Sequence, residues 1–175
     1  MANPQNVLKP QDLLVTLKLA VRKNVPFTFA LLAAELDLSS SEVHACVTRA
    51  SRSGLMTSVN GSPEIVRLSV EEFVLHGVRY AFPATYGPVA RGLLTGGAGP
   101  VLRDHFAHDS SSSFVWPSAN GTTRAASLYP LYPSVPTAAT YDFELYEVLT
   151  LVDAIRAGSA RERELAEIEF RRRLR

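Results

Sequence analysis

Small polar and basic side chains recur through Ser39–Arg52 (SSSEVHACVTRASR) at spacings that suit contact with nucleic acid. On an α-helix, 100° per residue gathers Val43, Cys46, Val47 and Ala50 on one apolar side. The opposite side and its flanks carry Ser41, His44, Ala45, Thr48, Arg49 and Arg52. Arginine can donate to guanine O6 and N7 together, serine and threonine can bond bases or phosphates, and alanine can touch a thymine methyl group.

Further residues around this segment could bind phosphate. Ser39 and Ser40 stand at the predicted N-terminus of the helix, where backbone amides favour anions. Four cations elsewhere in the N-terminal part could meet a phosphate backbone; they are Lys18, Arg22, Lys23 and Arg67. The competing interpretation is that these cations are solvated residues on exposed helices.

Other reactive residue types form weaker patterns. Cys46 falls on the apolar side of its helix and is expected to be a small buried hydrophobic residue. His105 and His108 have i, i+3 spacing but lack further placed ligands, so surface histidines are favoured over a metal site. Gly92–Pro100 is glycine-rich without the Gly-Lys-Ser/Thr of a phosphate-binding loop. The sequence therefore predicts no catalytic residues, no cofactor, no metal and no enzymatic activity.

Composition limits the class of protein. The 175 residues include 18 Lys+Arg and 17 Asp+Glu, a net charge of +1. A generally basic coat for nucleic acid is therefore excluded, and any basic surface must be local. One cysteine excludes a disulfide framework and a cysteine zinc cluster. Apolar runs are too short to span a bilayer and no signal peptide is recognisable, so we expect a cytoplasmic protein without a membrane partner.

The elements that would position the polar helix are indicated by local signals. Apolar spacing predicts a first helix over Pro10–Lys23, and Thr28 can cap a second over Phe29–Leu36. Ser39 and Glu42 form a capping box that opens the third helix, which runs to about Ser53 before Gly54.

A hairpin and a fourth helix are expected next. Leu55–Val59 reads as a strand, Asn60-Gly61 as a tight turn and Ile65–Leu68 as the returning strand. A capping box at Ser69–Glu72 predicts a helix that continues to about Ala81. Helix, turn, capped helix and hairpin together form the helix-turn-helix pattern with a wing.

The stretch LSSSEVHACVTRASRSGLM, preceded by a short FALLAAEL helix and followed by a hairpin, resembles winged helix-turn-helix regulators of the multiple-antibiotic-resistance regulator (MarR) type. The resemblance covers about the first 80 residues. It implies a fold that binds double-stranded DNA, with the third helix in the major groove and the wing beside it.

Charge and composition divide the chain into residues 1–82, 83–141 and 142–175. The middle part is rich in glycine and proline and is predicted to be irregular or extended, with short strands at Phe114–Pro117 and Arg124–Leu128. Tyr129–Pro136 is expected to be extended, either packed on the core or presented as a recognition strip.

The last part is predicted to be two helices that serve dimerisation. Asp142 can cap a helix to about Ala157, and Ser159 can cap one to about Leu174. One apolar face of the first is the predicted interface; it consists of Leu145, Val148, Leu149, Val152 and Ile155.

The predicted fold is thus mainly α with a small β-hairpin wing, an irregular Gly/Pro-rich segment and C-terminal helices. The predicted function is a sequence-specific transcription regulator, a prokaryotic repressor that acts as a homodimer with helix 40–53 in the major groove. The alternative is a protein-interaction module, such as the antitoxin-like or adaptor partner of a protein encoded nearby in a toxin–antitoxin or defence operon.

Overall fold

A computed structural model describes residues 7–23, 25–106 and 113–175 of the chain. Its N-terminal part contains three helices and a two-stranded antiparallel sheet, in the predicted order. The helices are α1 (Pro10–Val21), α2 (Phe29–Leu36) and α3 (Ser40–Arg52), and the strands are β1 (Met56–Val59) and β2 (Ser62–Ile65). Helix α3 packs on α1, α2 and β1.

The predicted starts of α2 and α3 are confirmed by their caps, although Glu42 does not complete the predicted capping box, because Gln11 and Arg49 bind its carboxylate. Thr28 Oγ1 accepts a hydrogen bond from the Leu31 amide at 3.1 Å, and Ser39 Oγ accepts one from the Glu42 amide at 3.1 Å. Asp37 ends α2 in the left-handed conformation, with φ of 53°. Each cap satisfies backbone groups that a helix end leaves unpaired, so these local signals suffice to fix where α2 and α3 begin.

The hairpin turns at Asn60 and Gly61, which have φ values of 51° and 80°. Two successive left-handed residues make the tight turn that matches the twist of an antiparallel pair. The prediction of a returning strand at Ile65–Leu68 is wrong. A two-residue turn starts the return at once, so β2 covers Ser62–Ile65 and Met56 pairs with Ile65.

The fourth helix starts at Arg67, so the predicted capping box at Ser69 is also wrong. It is built from α4 (Arg67–Glu72), a π-helical turn (Phe73–Gly77) and α5 (Val78–Ala81). The missing Cβ of Gly77 leaves space for the Phe73 ring, which an added Cβ would approach to 3.0 Å.

The middle part is more regular than the predicted irregular or extended segment with short strands. It contains β3 (Tyr86–Thr95), β4 (Phe114–Pro117) and β5 (Thr123–Leu128). Each strand pairs with the other two, so the three form a small closed barrel. Strand β3 is antiparallel to both others, whereas β4 and β5 are parallel. The two predicted short strands are therefore present, and they are parallel to each other. The long strand β3 pairs with both of them. The sequence analysis did not predict β3, because the glycines within it are unfavourable in a strand.

Closure of this sheet depends on two glycines that touch backbone. A Cβ on Gly121 would overlap the carbonyl group of Gly92, and a Cβ on Gly92 would overlap the Trp116 carbonyl oxygen. Because these neighbours are backbone atoms, they cannot move aside without opening the strands.

We expect Gly121→Ala to lower the free energy of unfolding by about 3 kcal/mol, the upper end of the range for overpacking a tight site. Urea unfolding followed by circular dichroism measures the change. The matched control is Asn120→Ala, the adjacent exposed residue of the same turn, with an expected change within about 0.5 kcal/mol. Equal stability of the two variants would contradict the close approach.

Helix α6 (Val135–Tyr141) corrects the predicted conformation of Tyr129–Pro136. Val135 and Pro136 belong to this helix, where proline suits the first turn. Leu131, Val135 and Pro136 are buried, while Tyr129 is 45% exposed. Most of the segment therefore packs on the core, one of the two outcomes that the sequence left open.

The last two helices are α7 (Phe143–Ala157) and α8 (Ala160–Leu174), and both predicted caps are present. Asp142 Oδ1 accepts from the Leu145 amide at 3.0 Å, and Ser159 forms the predicted capping box with Glu162. Within the described ranges, no helix combines the length and the hydrophobicity that crossing a bilayer requires.

The predicted dimerisation face lies inside the protein. Helix α7 packs against α1, α5, α6, α8 and β3, so it is surrounded by the chain's own elements. The five apolar residues assigned to an interface are each no more than 2% exposed; they are Leu145, Val148, Leu149, Val152 and Ile155. The prediction for these residues is wrong because their apolar surface is already covered within one chain.

A buried carboxylate ties α7 to the closed sheet. Asp153 is 1% exposed and accepts hydrogen bonds from Thr95 Oγ1 at 2.8 Å, Trp116 Nε1 at 2.5 Å and an Arg156 guanidinium nitrogen at 2.7 Å. Burial raises the pKa of Asp153, and the adjacent Arg156 opposes that rise. Three donors on one carboxylate make this group the polar centre of the sheet–helix contact.

Candidate nucleic-acid interface

Helix α3 presents two unlike sides. Val43, Cys46 and Ala50 are fully buried against the neighbouring helices. The side facing away carries a set of small polar, basic and aromatic-ring side chains, here named the α3 surface. It consists of Ser40, Ser41, His44, Ala45, Thr48 and Arg52; Ala45 and Thr48 are half-buried and the others are exposed.

Several members of the α3 surface are held in place by local contacts. The His44 ring meets Phe29 edge-on, with 5.5 Å between ring centroids. Thr48 Oγ1 donates to the His44 carbonyl oxygen at 2.9 Å, which leaves its oxygen free to accept. Ser39 and Ser41 hydroxyl oxygens lie 3.0 Å apart, and Ser39 also serves as the helix cap. The predicted DNA contacts from Ser39 would therefore compete with its capping role.

Arg49 departs most from the predicted set. Its guanidinium donates to both carboxylate oxygens of Asp12 on α1, at 2.7–3.0 Å, and to Glu42 at 2.8 Å. Asp12 is fully buried and the Arg49 side chain is only 16% exposed. Arg49 does flank the exposed face as predicted, but the expectation that its charge is available to DNA is corrected, since that charge joins α3 to α1.

Asp12, Glu42 and Cys46 form a cluster around the Arg49 guanidinium group. Their ligand-type atoms lie within 4.8 Å of one another, a spacing that could hold a metal ion. Arg49 supplies the positive charge there instead, because one of its nitrogens contacts all three side chains. Hydrogen bonding from Arg49 lowers the pKa of Glu42, which keeps this carboxylate ionised.

Cys46 occupies the interior of this cluster. Burial, reinforced by the Asp12 and Glu42 carboxylates, raises the pKa of its thiol above the ordinary value. A protonated, fully buried thiol is a poor nucleophile and a poor redox sensor. This environment agrees with the predicted role of Cys46 as a small hydrophobic residue of the α3 core.

Lys18 and Arg22 are also occupied within the chain. Lys18 is 6% exposed and lies 3.0 Å from Glu35 and 2.6 Å from Asp142. Arg22 contacts Glu35 at 2.7 Å and the carbonyl oxygens of the following loop. The expectation that both could meet phosphates is corrected, because these charges connect α1 to α2 and to the start of α7.

The sequence analysis placed Arg67 on the returning strand of the hairpin, and this prediction is wrong. It opens α4, and its guanidinium donates to the Leu174 carbonyl oxygen at 2.6 Å and to the Ala20 carbonyl oxygen at 3.4 Å. Both carbonyls lie near helix C-termini, where a cation is favoured. Arg67 therefore fastens the ends of α1 and α8 together rather than extending from a wing.

Two of the predicted cations remain at the surface. Arg52 belongs to the α3 surface, and Lys23 follows α1 with a φ of 47°. The hairpin adds polar residues that the sequence analysis did not select, since Thr57 and Ser58 of β1 are exposed beside the turn. Their polar run next to Asn60-Gly61 was the available signal for them.

Of the two histidines with i, i+3 spacing, the structure describes only the first. His105 is exposed in a short 3-10 helix (Arg103–His105), and His108 lies outside the described residues. Nothing in the described part of the chain brings a second ligand to His105 within a group that could hold a metal ion.

Comparison with known proteins adds no relative to this picture. No family model matches the chain, and no curated protein or solved structure shows detectable similarity to it.

Proposed function

We propose that the chain is a sequence-specific DNA-binding transcription regulator, a prokaryotic repressor with α3 in the major groove and the β1–β2 hairpin as its wing. The observation that carries the proposal is the two-sided α3. Its apolar side is fixed to α1 and α2, and its other side offers hydroxyls, an imidazole, a methyl group and Arg52. These are the groups that read base edges.

The distribution of charge changes the expected binding mode. Arg49, Lys18, Arg22 and Arg67 are engaged inside the chain, and of the six predicted cations Arg52 and Lys23 are the exposed ones. Phosphate contacts by cations should therefore be few, and base contacts by α3 should contribute a larger share of the affinity.

A homodimer remains part of the proposal, because a lone helix-turn-helix contacts only a half-site. The buried face of α7 cannot form its interface. Light scattering of the free protein and of its DNA complex would measure the stoichiometry directly.

The test is fluorescence anisotropy with a labelled duplex from immediately upstream of the chain's own gene, and a scrambled duplex as the control. Each neutralised phosphate contributes a slope of about −0.9 to log K against log salt, so two cations predict about −2 per protomer. All six predicted cations would instead give about −5. Equal, weak binding to both duplexes would contradict the proposal.

Arg52→Ala should weaken binding to the upstream duplex by about 1–3 kcal/mol if Arg52 contacts a guanine. Arg161→Ala is the matched control, because Arg161 is an exposed arginine of α8 that stacks on Phe106, away from α3. Undiminished affinity of the Arg52 variant for the upstream duplex would remove Arg52 from the interface.

A second candidate function is favoured by exposed aromatic side chains outside α3. Tyr80, Tyr141 and Phe143 are 75%, 82% and 63% exposed. Exposed aromatic residues often anchor protein interfaces. An adaptor or antitoxin-like partner of a neighbouring gene product would use such surfaces, and it would bind both duplexes equally.

A further inference from the structure

Strands β3 and β5 place two arginines directly opposite each other. Arg91 on β3 pairs with Arg124 on β5, and both are exposed. Side chains of directly opposed residues share one face, with Cβ atoms about 5 Å apart. Two like charges in this position repel each other and destabilise the sheet.

These two arginines differ from most of the others in how they are satisfied. Most other arginines of the chain donate to carboxylates or carbonyl oxygens, as Arg156 and Arg163 do, or stack on aromatic rings, as Arg79 and Arg161 do. Within residues 7–23, 25–106 and 113–175, neither Arg91 nor Arg124 has an ion pair or a side-chain hydrogen bond.

Strands β3, β4 and β5 contain no compensating charge. Neither residues 73–103 nor residues 113–141 include an aspartate or a glutamate. The next rung on the same face is apolar, because Val89 pairs with Ala126 and is 61% exposed. We name Arg91, Arg124, Val89 and Ala126 the paired-arginine patch.

We propose that the paired-arginine patch is a docking surface for an acidic segment of a partner protein, independent of DNA binding by α3. A carboxylate between the two guanidinium groups can accept hydrogen bonds from both and remove their mutual repulsion. Val89 then offers apolar contact to the neighbouring side chain of the partner. Arginine beside exposed apolar area is the composition that concentrates binding energy in protein interfaces.

Nucleic acid fits this surface less well. A phosphate backbone needs a series of cations along its path, whereas this face has one charged rung followed by an apolar rung. Charge complementarity with a short acidic segment therefore matches the patch better than a polyphosphate does.

The experiment uses the full chain and a short fluorescein-labelled peptide of alternating glutamate and leucine. We expect saturable binding that weakens about tenfold or more, equivalent to about 1.4 kcal/mol, in Arg91→Ala and in Arg124→Ala. Arg161→Ala is the control and should bind as the unaltered chain does. A labelled oligothymidine tests the phosphate alternative.

Arg124→Glu separates loss of binding from loss of folding. It replaces a repulsive cross-strand pair with an attractive one, so we expect the melting temperature to rise by about 1–3 °C while peptide binding is lost. The double variant Arg91→Glu/Arg124→Glu should prefer a lysine–leucine peptide.

The proposal is overturned if the glutamate–leucine peptide fails to bind, or if its affinity is unchanged by both alanine substitutions. Preferential binding of oligothymidine that is lost in the same variants would also overturn it, since the ligand would then be a nucleic acid.

Discussion

Replacing Arg49 with methionine should lower the free energy of unfolding by about 3–5 kcal/mol, measured by urea denaturation at neutral pH. Methionine preserves most of the side-chain volume but leaves the fully buried Asp12 carboxylate without its cation. The cost of an uncompensated buried charge exceeds what the pair itself contributes, so the loss should be large. Arg161→Met is the matched control, because Arg161 is exposed on α8 and stacks only on Phe106, so we expect it to change stability by no more than about 1 kcal/mol.

A double substitution distinguishes a structural role of Arg49 from a base contact. Arg49→Met with Asp12→Leu removes both charges, and neutralising a buried pair in this way is often tolerated. If Arg49 only positions α3, the double variant should regain stability and bind the upstream duplex. A stable double variant that no longer binds DNA would show that Arg49 contacts the duplex itself.

Asp153→Ala should produce a loss of similar size, about 3–5 kcal/mol. It leaves the Arg156 guanidinium, with its side chain 4% exposed, without its carboxylate, and it deprives Trp116 Nε1 and Thr95 Oγ1 of their acceptor. Trp116 is the only tryptophan, so its fluorescence reports the same site during unfolding.

Two further variants sharpen the Asp153 experiment. Asp153→Asn keeps an acceptor but removes the charge, so its stability should fall between those of the alanine variant and the unaltered chain. Asp104→Ala changes an aspartate whose side chain is 89% exposed, so its effect on stability should be nearly neutral. An Asp153→Ala variant as stable as the Asp104→Ala variant would refute a central role for this carboxylate.

The sequence was most informative where structure is decided locally. Thr28, Ser39, Asp142 and Ser159 each cap the helix that was predicted to follow them. A cap bonds an amide within three residues, so its partners are visible in a short window of sequence.

The predictions that failed concern features whose structure depends on contacts with segments distant in the sequence. Strand β3 contains two glycines, Gly87 and Gly92, and it becomes a strand only because β4 and β5 pair with it. Arg49 is reached by a carboxylate 37 residues earlier, which helical geometry alone cannot anticipate. The apolar face of α7 was predicted correctly as a face, but the elements that cover it come from the same chain rather than from a second copy.

Several residues of the N-terminal part contact residues near the C-terminal end of the chain, so these contacts cannot form until the end of the chain has been synthesised. Arg67 bonds a carbonyl 107 residues further on, and Lys18 bonds a carboxylate 124 residues further on. Phe170 and Leu174 of α8 belong to the same hydrophobic cluster as Leu13 of α1. At 5–20 residues per second, a ribosome needs roughly 5–25 s to supply these partners. During that interval the nascent α1–α3 segment lacks the partners for this apolar surface and these charges, so we expect it to be prone to aggregation until α7 and α8 have emerged.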